Sequence, residues 1–261
     1  MKMTTRSQSV LVVFDLISTL TDAGPRYVQA FAEACRNNGY QSPDTDEVLA
    51  MLGNRNLGQI IDHFIGPMTE EHKASFMSTC NSTCDALLRR KDWEERLYPN
   101  VRETIETLCL RGVTLGIYTG TREGAVKDQL EYHAIKALFN MSYVKGKDNV
   151  RDAGKTTEAL KTEQLQSIVG EFRAKQGYAA PIIIVGDSES DLKAAMKLGL
   201  FFVGFGADEK KRSRLQKAGV QIVITDFGAL PDIVEQRILR PPANDLAVRT
   251  MKPDNNPRPK L

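Results

Sequence analysis

Five consecutive apolar residues, Val10 to Phe14, read as a short strand buried on both faces, as in a parallel sheet covered by helices. Gly24-Pro25 then interrupts the pattern and helical periodicity begins, with Val28, Phe31, Ala32 and Cys35 on one face and Gly39 as a stop. Val48, Leu49 and Leu52 precede a Gly53-Asn54-Arg55-Asn56 turn, Leu57, Ile60, Ile61 and Phe64 form a second stripe, and Thr69 to Arg90 fits one long helix. Nothing between residues 24 and 92 reads as a strand.

From Tyr98-Pro99 to about residue 238 the pattern alternates helix and strand, which predicts parallel βαβ units. Val101, Ile105 and Leu108 mark a helix ended by Gly112, and Val113 to Tyr118 a strand finishing at Thr119-Gly120-Thr121-Arg122. A strand is expected at Met141–Val144, and then a polar stretch with Lys161 at the entrance of a helix. Ile182 to Val185 is a buried strand running into Gly186-Asp187-Ser188-Glu189-Ser190-Asp191. Phe201–Val203 and Val220–Ile224 supply two more strands, and Pro231 starts a last helix. The predicted fold class is α/β, a Rossmann-like parallel sheet core (residues 1–22 and 95–240) with an inserted helical cap (23–94). The Pro-rich segment 241–261 is expected to be a disordered tail.

Composition narrows the function classes. The 261 residues carry a formal net charge of +2, which gives no electrostatic drive toward nucleic acid or an anionic membrane. The run Lys210-Lys211-Arg212, with Arg214 and Lys217, reads as a solvated helix face. Cys35, Cys80, Cys84 and Cys109 lack zinc-site spacing and are expected as reduced thiols, Cys80 and Cys84 being one helical turn apart. No segment reads as a signal peptide or a membrane span, so a cytoplasmic location is expected. Oligomeric state is not encoded in any readable pattern.

Candidate chemistry gathers at strand ends. In a parallel sheet the loops after Phe14, Tyr118 and Val185 open on one edge, where Asp15, Thr119, Asp187 and Asp191 can converge. Asp15 alone reads either as a nucleophile or metal ligand, or as an Asp opening a turn. Carboxylates around a hard cation, with a lysine and a hydroxyl for anionic oxygens, make a phosphoryl-handling set. Mg²⁺ would keep Asp15 ionised. Ala153-Gly154-Lys155-Thr156 hints at a P-loop, but Asn149 stands where glycine is required.

With these residues the chain resembles the haloacid dehalogenase-like hydrolase superfamily, in its capped phosphatase and phosphonoacetaldehyde hydrolase-like branch, over roughly residues 10 to 238. Asp15-Leu16-Ile17-Ser18-Thr19 resembles the family's Asp-x-Asp-Gly-Thr, keeping the first Asp and the Thr. Thr119 matches the second motif, Gly186-Asp187 with Asp191 the fourth, and Tyr98-Pro99-Asn100-Val101 the opening of the core helix. The third-motif lysine is either Lys161 or Lys155, with Lys161 the better fit. The resemblance implies Asp15, Thr119 and Lys161 as catalytic residues, Thr19, Gly120 and Arg55 as substrate-binding residues, and Asp15, the Ile17 carbonyl, Asp187 and Asp191 as Mg²⁺ ligands.

Ile17 replaces the carboxyl that moves protons in the family's phosphatases. General acid–base help is worth typically 10²- to 10⁴-fold, or roughly 3 to 5 kcal/mol of barrier. His63 is one conceivable stand-in. Asn56 falls where the phosphonoacetaldehyde hydrolases carry their Schiff-base lysine. The expected activity is Mg²⁺-dependent hydrolysis of a small phosphorylated or phosphono metabolite through a covalent aspartyl intermediate. Two alternatives stand beside it: a non-catalytic binding or regulatory relative, and a metal-independent, dehalogenase-like C–X hydrolase.

Overall fold

The computed structural model describes residues 9–52, 55–90, 93–148, 150–152, 154–178 and 180–239. The Gly53-Asn54 part of the predicted turn, Asn149 and the 241–261 tail lie outside the described residues. Six parallel strands form one sheet in the order β3-β2-β1-β4-β5-β6. They are β1 (Leu11–Phe14), β2 (Thr114–Arg122), β3 (Val144–Lys147), β4 (Ile182–Gly186), β5 (Phe201–Phe205) and β6 (Val223–Ile224). β1 is central, pairing Leu11 with Thr114 on one side and with Ile182 on the other.

Alternation along β1 explains why all of it is apolar. Val12 and Phe14 join one buried cluster with Ile105, Ile117, Leu130 and Val185, whereas Leu11 and Val13 join another with Leu165, Ile168, Phe172 and Ile184. Two faces are thus buried at once. Helices α5 (Val101–Leu110), α6 (Glu123–Tyr132), α7 (Thr157–Gln176), α8 (Glu189–Lys197), α9 (Glu209–Lys217) and α10 (Leu230–Leu239) connect and cover the strands.

Between β1 and α5 lie α1 (Gly24–Asn37), α2 (Thr45–Met51), α3 (Leu57–Phe64) and α4 (Glu70–Arg89). They share a cluster containing Phe31, Ile60, Ile61, Phe76 and Cys80, with the Phe31 and Phe76 rings 5.6 Å apart. Local signals set their starts: Asp44 caps α2, Asn56 and Gln59 form a capping box on α3, and Thr69 caps α4. The chain enters and leaves this block side by side, with the Asp22 amide donating to the Arg96 carbonyl at 2.9 Å. No helix among the described residues is long and apolar enough to cross a membrane.

Four expectations shift. β2 does not end at Tyr118 but continues to Arg122, with a register irregularity against β3. Met141–Tyr143 is a 3₁₀ turn and β3 starts only at Val144, because the Asn140 side chain accepts from the Ser142 amide and bends the chain. β6 is confined to Val223–Ile224. α7 begins at Thr157, capped by Thr156, so Lys161 lies in its second turn and not at its entrance.

Candidate active site

The three acidic residues follow from where β1 and β4 stop and α8 starts. Asp15 comes directly after β1, its amide donating to the Val185 carbonyl at 2.8 Å. Asp187 directly follows β4, and Asp191 lies in the first turn of α8. Ser188 caps that helix: its hydroxyl accepts from the Asp191 amide and donates to Asp191 Oδ2 at 2.6 Å, and its amide donates to the same oxygen. Asp191 is therefore locked beneath the end of β4. A Cβ on residue 186 would sit 2.5 Å from the Asp191 carboxyl carbon, which explains Gly186.

Asp15, Asp187 and Asp191 are all buried, and each offers a carboxylate oxygen within 4.8 Å of the others. The Thr19 hydroxyl lies 3.4 Å from Asp15 Oδ2 and 3.4 Å from Asp187 Oδ1. Thr19 thus faces the carboxylates from a turn in which Ser18 adopts φ 62°, a left-handed conformation in which glycine is easier.

Lys161 completes the cluster. Its Nζ is 2.7 Å from Asp191 Oδ1 and 3.4 Å from Asp15 Oδ1, with the side chain 3% exposed. Lys155 is instead paired with Asp152 and Glu163, so of the two candidate lysines it is Lys161 that reaches Asp15. Thr119 is buried in β2, and Gln164 on α7 holds its backbone, accepting from the amide at 3.0 Å and donating to the carbonyl at 2.9 Å. The Thr119 hydroxyl is engaged with Thr121.

Lys211 corrects the sequence reading. Its run was expected to be a solvated face, yet Lys211 Nζ lies 2.9 Å from Asp187 Oδ2. Asp208 caps α9 just after β5, so Lys211 falls in the first helical turn at the same sheet edge as Asp15 and Asp187. That position after a strand end was the available signal. A cation there runs against the helix dipole, and the carboxylate compensates.

Burial raises Asp15 to about 8: Lys161 opposes the shift and Asp191 and Asp187 add to it. Asp187 is raised as well, by burial first, against the pull of Lys211. Burial alone would lower Lys161, but Asp15 and Asp191 outweigh it and hold the amine cationic. Three crowded carboxyl groups thus face two amines in a buried site. An all-oxygen set of crowded carboxylates suits a hard divalent cation, so the residues present fit Mg²⁺.

A cavity of about 190 Å³ opens above the cluster, with Asp15, Ile17, Thr119, Gly120, Arg55 and Lys161 on its lining. The sequence-predicted residues are therefore brought together, except that Thr19, Asp187 and Asp191 lie outside the lining, behind Asp15 and Lys161. His63 is exposed against Phe64 and is not on this lining. Sequence reasoning missed Arg26 and Tyr27, which line the cavity from α1. Arg26 is paired with Glu95 across 69 residues, and no local pattern shows that.

The family model for haloacid dehalogenase-like hydrolases matches residues 12–205. The phosphoglycolate phosphatase of Aliivibrio fischeri is 28% identical over 198 residues, covering 72% of this chain and 80% of its own. That of Vibrio cholerae is 27% identical over 232 residues, covering 86% and 96%. Among solved structures, a HAD hydrolase of family IA, variant 3, from Entamoeba histolytica superposes with a TM-score of 0.71 at 17% identity, covering 87% of this chain and 99% of the other.

Proposed function

The chain belongs to the haloacid dehalogenase-like hydrolase family and is an enzyme of its phosphatase type; from that premise we propose that it hydrolyses a small phosphorylated metabolite through a covalent intermediate on Asp15. The observation that carries this reading is the Lys161 ammonium bridging Asp15 and Asp191 beneath the cavity. It joins the nucleophile to the polar cluster behind it and places a fixed positive charge beside the reacting oxygen.

Asp15 Oδ bonds to phosphorus while the phosphorus–oxygen bond to the organic group breaks, and the leaving oxygen keeps the electron pair and takes a proton from solvent. Water then attacks phosphorus, the bond to Asp15 breaks, and inorganic phosphate departs with the carboxylate restored. Lys161 and the Thr119 hydroxyl bind the phosphoryl oxygens, Gly120 offers its backbone, Thr19 orients Asp15, and Arg55 reaches from the α2–α3 turn. Asp15, Asp187, Asp191 and the Ile17 carbonyl would hold Mg²⁺, which when bound supplies charge neutralisation for the transferring group. Residues 23–94 act as a cap that excludes water from the cavity.

Among the alternatives, the acidic pair Asp187 and Asp191 favours phosphorus over C–X chemistry, and the phosphatase relatives favour an enzyme over a binding protein. The test is phosphate release from p-nitrophenyl phosphate with Mg²⁺ and with chelator, by wild type and Asp15→Asn. Mg²⁺-dependent release that falls at least 10³-fold in the variant is expected. Release that survives in Asp15→Asn rules out the covalent step.

A further inference from the structure

Resting on the phosphoryl-transfer reading above, we infer that the substrate is an aryl-type phosphomonoester: a phosphoryl group joined through oxygen to an apolar body that leaves as a stabilised oxyanion. Two independent features of the cavity carry this, an apolar patch on its lining and the want of a free carboxyl or imidazole acid among the described residues there.

The inserted helices contribute an apolar patch to the cavity, beside the polar Arg55, Asn56 and Asn81. Phe31, Val48, Leu57, Ile60 and Met77 all line the cavity that contains Asp15. The part of an organic body that packs against these five side chains is desolvated by hydrocarbon, which rewards apolar surface and penalises carboxylate or hydroxyl groups placed there. Most cations on the lining are already committed to protein partners. Arg26 is tied to Glu95, Arg122 to both oxygens of Asp85 at 2.7 Å, and Lys155 to Asp152 and Glu163. Arg55 and Lys147 are the lining cations that form no ion pair among the described residues; Arg55 is exposed and Lys147 is half-buried. They suit a second anionic group such as that of phosphoglycolate, so the two chemistries are set against each other in the test.

The second feature concerns the leaving oxygen. Among the described residues, the lining carboxyl group besides Asp15 is Asp85, which is held by Arg122, and no histidine lines the cavity. Ile17 presents an alkyl side chain beside the nucleophile. The remaining ionisable hydrogen donors are the ammonium groups of Lys147, Lys155 and Lys161, a weakly acidic class, and the Tyr27 phenol and the Cys80 and Cys84 thiols, which burial makes weaker acids than usual. An alkoxide expelled here finds no free carboxyl or imidazole acid tuned to protonate it, a lack worth about 10²- to 10⁴-fold in rate. A phenolate, whose conjugate acid has a pKa of about 10, needs no such help. In the transfer step the aryl oxygen therefore takes the electron pair of the broken phosphorus–oxygen bond and leaves as the anion, gaining its proton later from solvent.

The experiment compares kcat/KM of the full-length wild type, with Mg²⁺, on 1-naphthyl phosphate, n-hexyl phosphate and phosphoglycolate. Naphthyl phosphate is expected to exceed phosphoglycolate by at least 10-fold and hexyl phosphate by about 100-fold or more. Phosphoglycolate turned over as well as naphthyl phosphate overturns the inference while leaving the phosphoryl-transfer reading intact. Hexyl phosphate turned over as fast as naphthyl phosphate does the same, because an acid must then be present. Silence toward all three and toward p-nitrophenyl phosphate overturns that reading and the inference with it.

Discussion

Arg26 and Glu95 form an ion pair 2.6 Å long in which neither side chain is more than 2% exposed. Gln129 donates to the other Glu95 oxygen at 2.6 Å, and His133 Nε2 lies 3.3 Å from it. The pair joins the first turn of α1 to the segment by which the chain returns from the inserted helices. Burial would raise Glu95, but His133, Arg26 and Gln129 hold it below the usual carboxylate range. Its contribution is thus present above the ordinary carboxylate pKa and lost as pH falls. Glu95→Gln strands a buried guanidinium and should destabilise by ~3–5 kcal/mol, whereas Arg26→Met with Glu95→Leu should cost much less. Urea unfolding of the single and double variants checks this.

Metal-free protein should lose stability as pH rises from about 4 to about 8. Asp15, raised to about 8, and Asp187, raised in the same direction, make the folded chain bind more protons than the unfolded chain in that window. Stability is favoured where both stay protonated and declines as they ionise against Asp191. Asp187→Asn should flatten the profile between pH 5 and pH 8. Denaturant midpoints in chelator read the effect, and added Mg²⁺ should raise the pH 8 midpoint more than the pH 5 one.

Lys211 competes with a divalent cation for Asp187. Lys211→Met should tighten Mg²⁺ binding roughly fivefold, the equivalent of ~1 kcal/mol for a partly exposed pair. Calorimetric titration with Mg²⁺ decides it; weaker binding in the variant would show that Lys211 positions Asp187 for the ion.

Gly186→Ala should destabilise by ~1–3 kcal/mol, because its Cβ meets the Asp191 carboxyl group. The same shift displaces Asp191, so the Tm gain from saturating Mg²⁺ should shrink in the variant. A full gain would show that Asp191 is not needed for the ion.

What was legible in the sequence was whatever depends on near neighbours. The apolar run before Asp15, the apolar run before Gly186-Asp187 and the helix starts near Leu57 and Thr69 are local signals, and the parallel architecture follows from the order of strands and helices, whereas the Thr156 cap was passed over in favour of an entrance at Lys161. Parallel pairing then carries Asp15, Thr119 and Asp187 to one edge. The edge strands were less readable, since Val144–Lys147 and Val223–Ile224 are too short to show a period. Lys211 was missed because a basic run looks the same on a solvated face and beside a carboxylate. The Arg26–Glu95 pair and the Gln164 clamp on Thr119 span 69 and 45 residues, beyond any local pattern.

The central place of β1 also bears on how the molecule is made. β1 pairs with residues 114–117 and 182–185, so its ladder cannot close until those later residues exist. At 5–20 residues per second that wait is roughly 10 to 30 s. β1, which leads into Asp15, thus waits as unpaired apolar chain, and the last neighbour it acquires, β4, brings Asp187 with it.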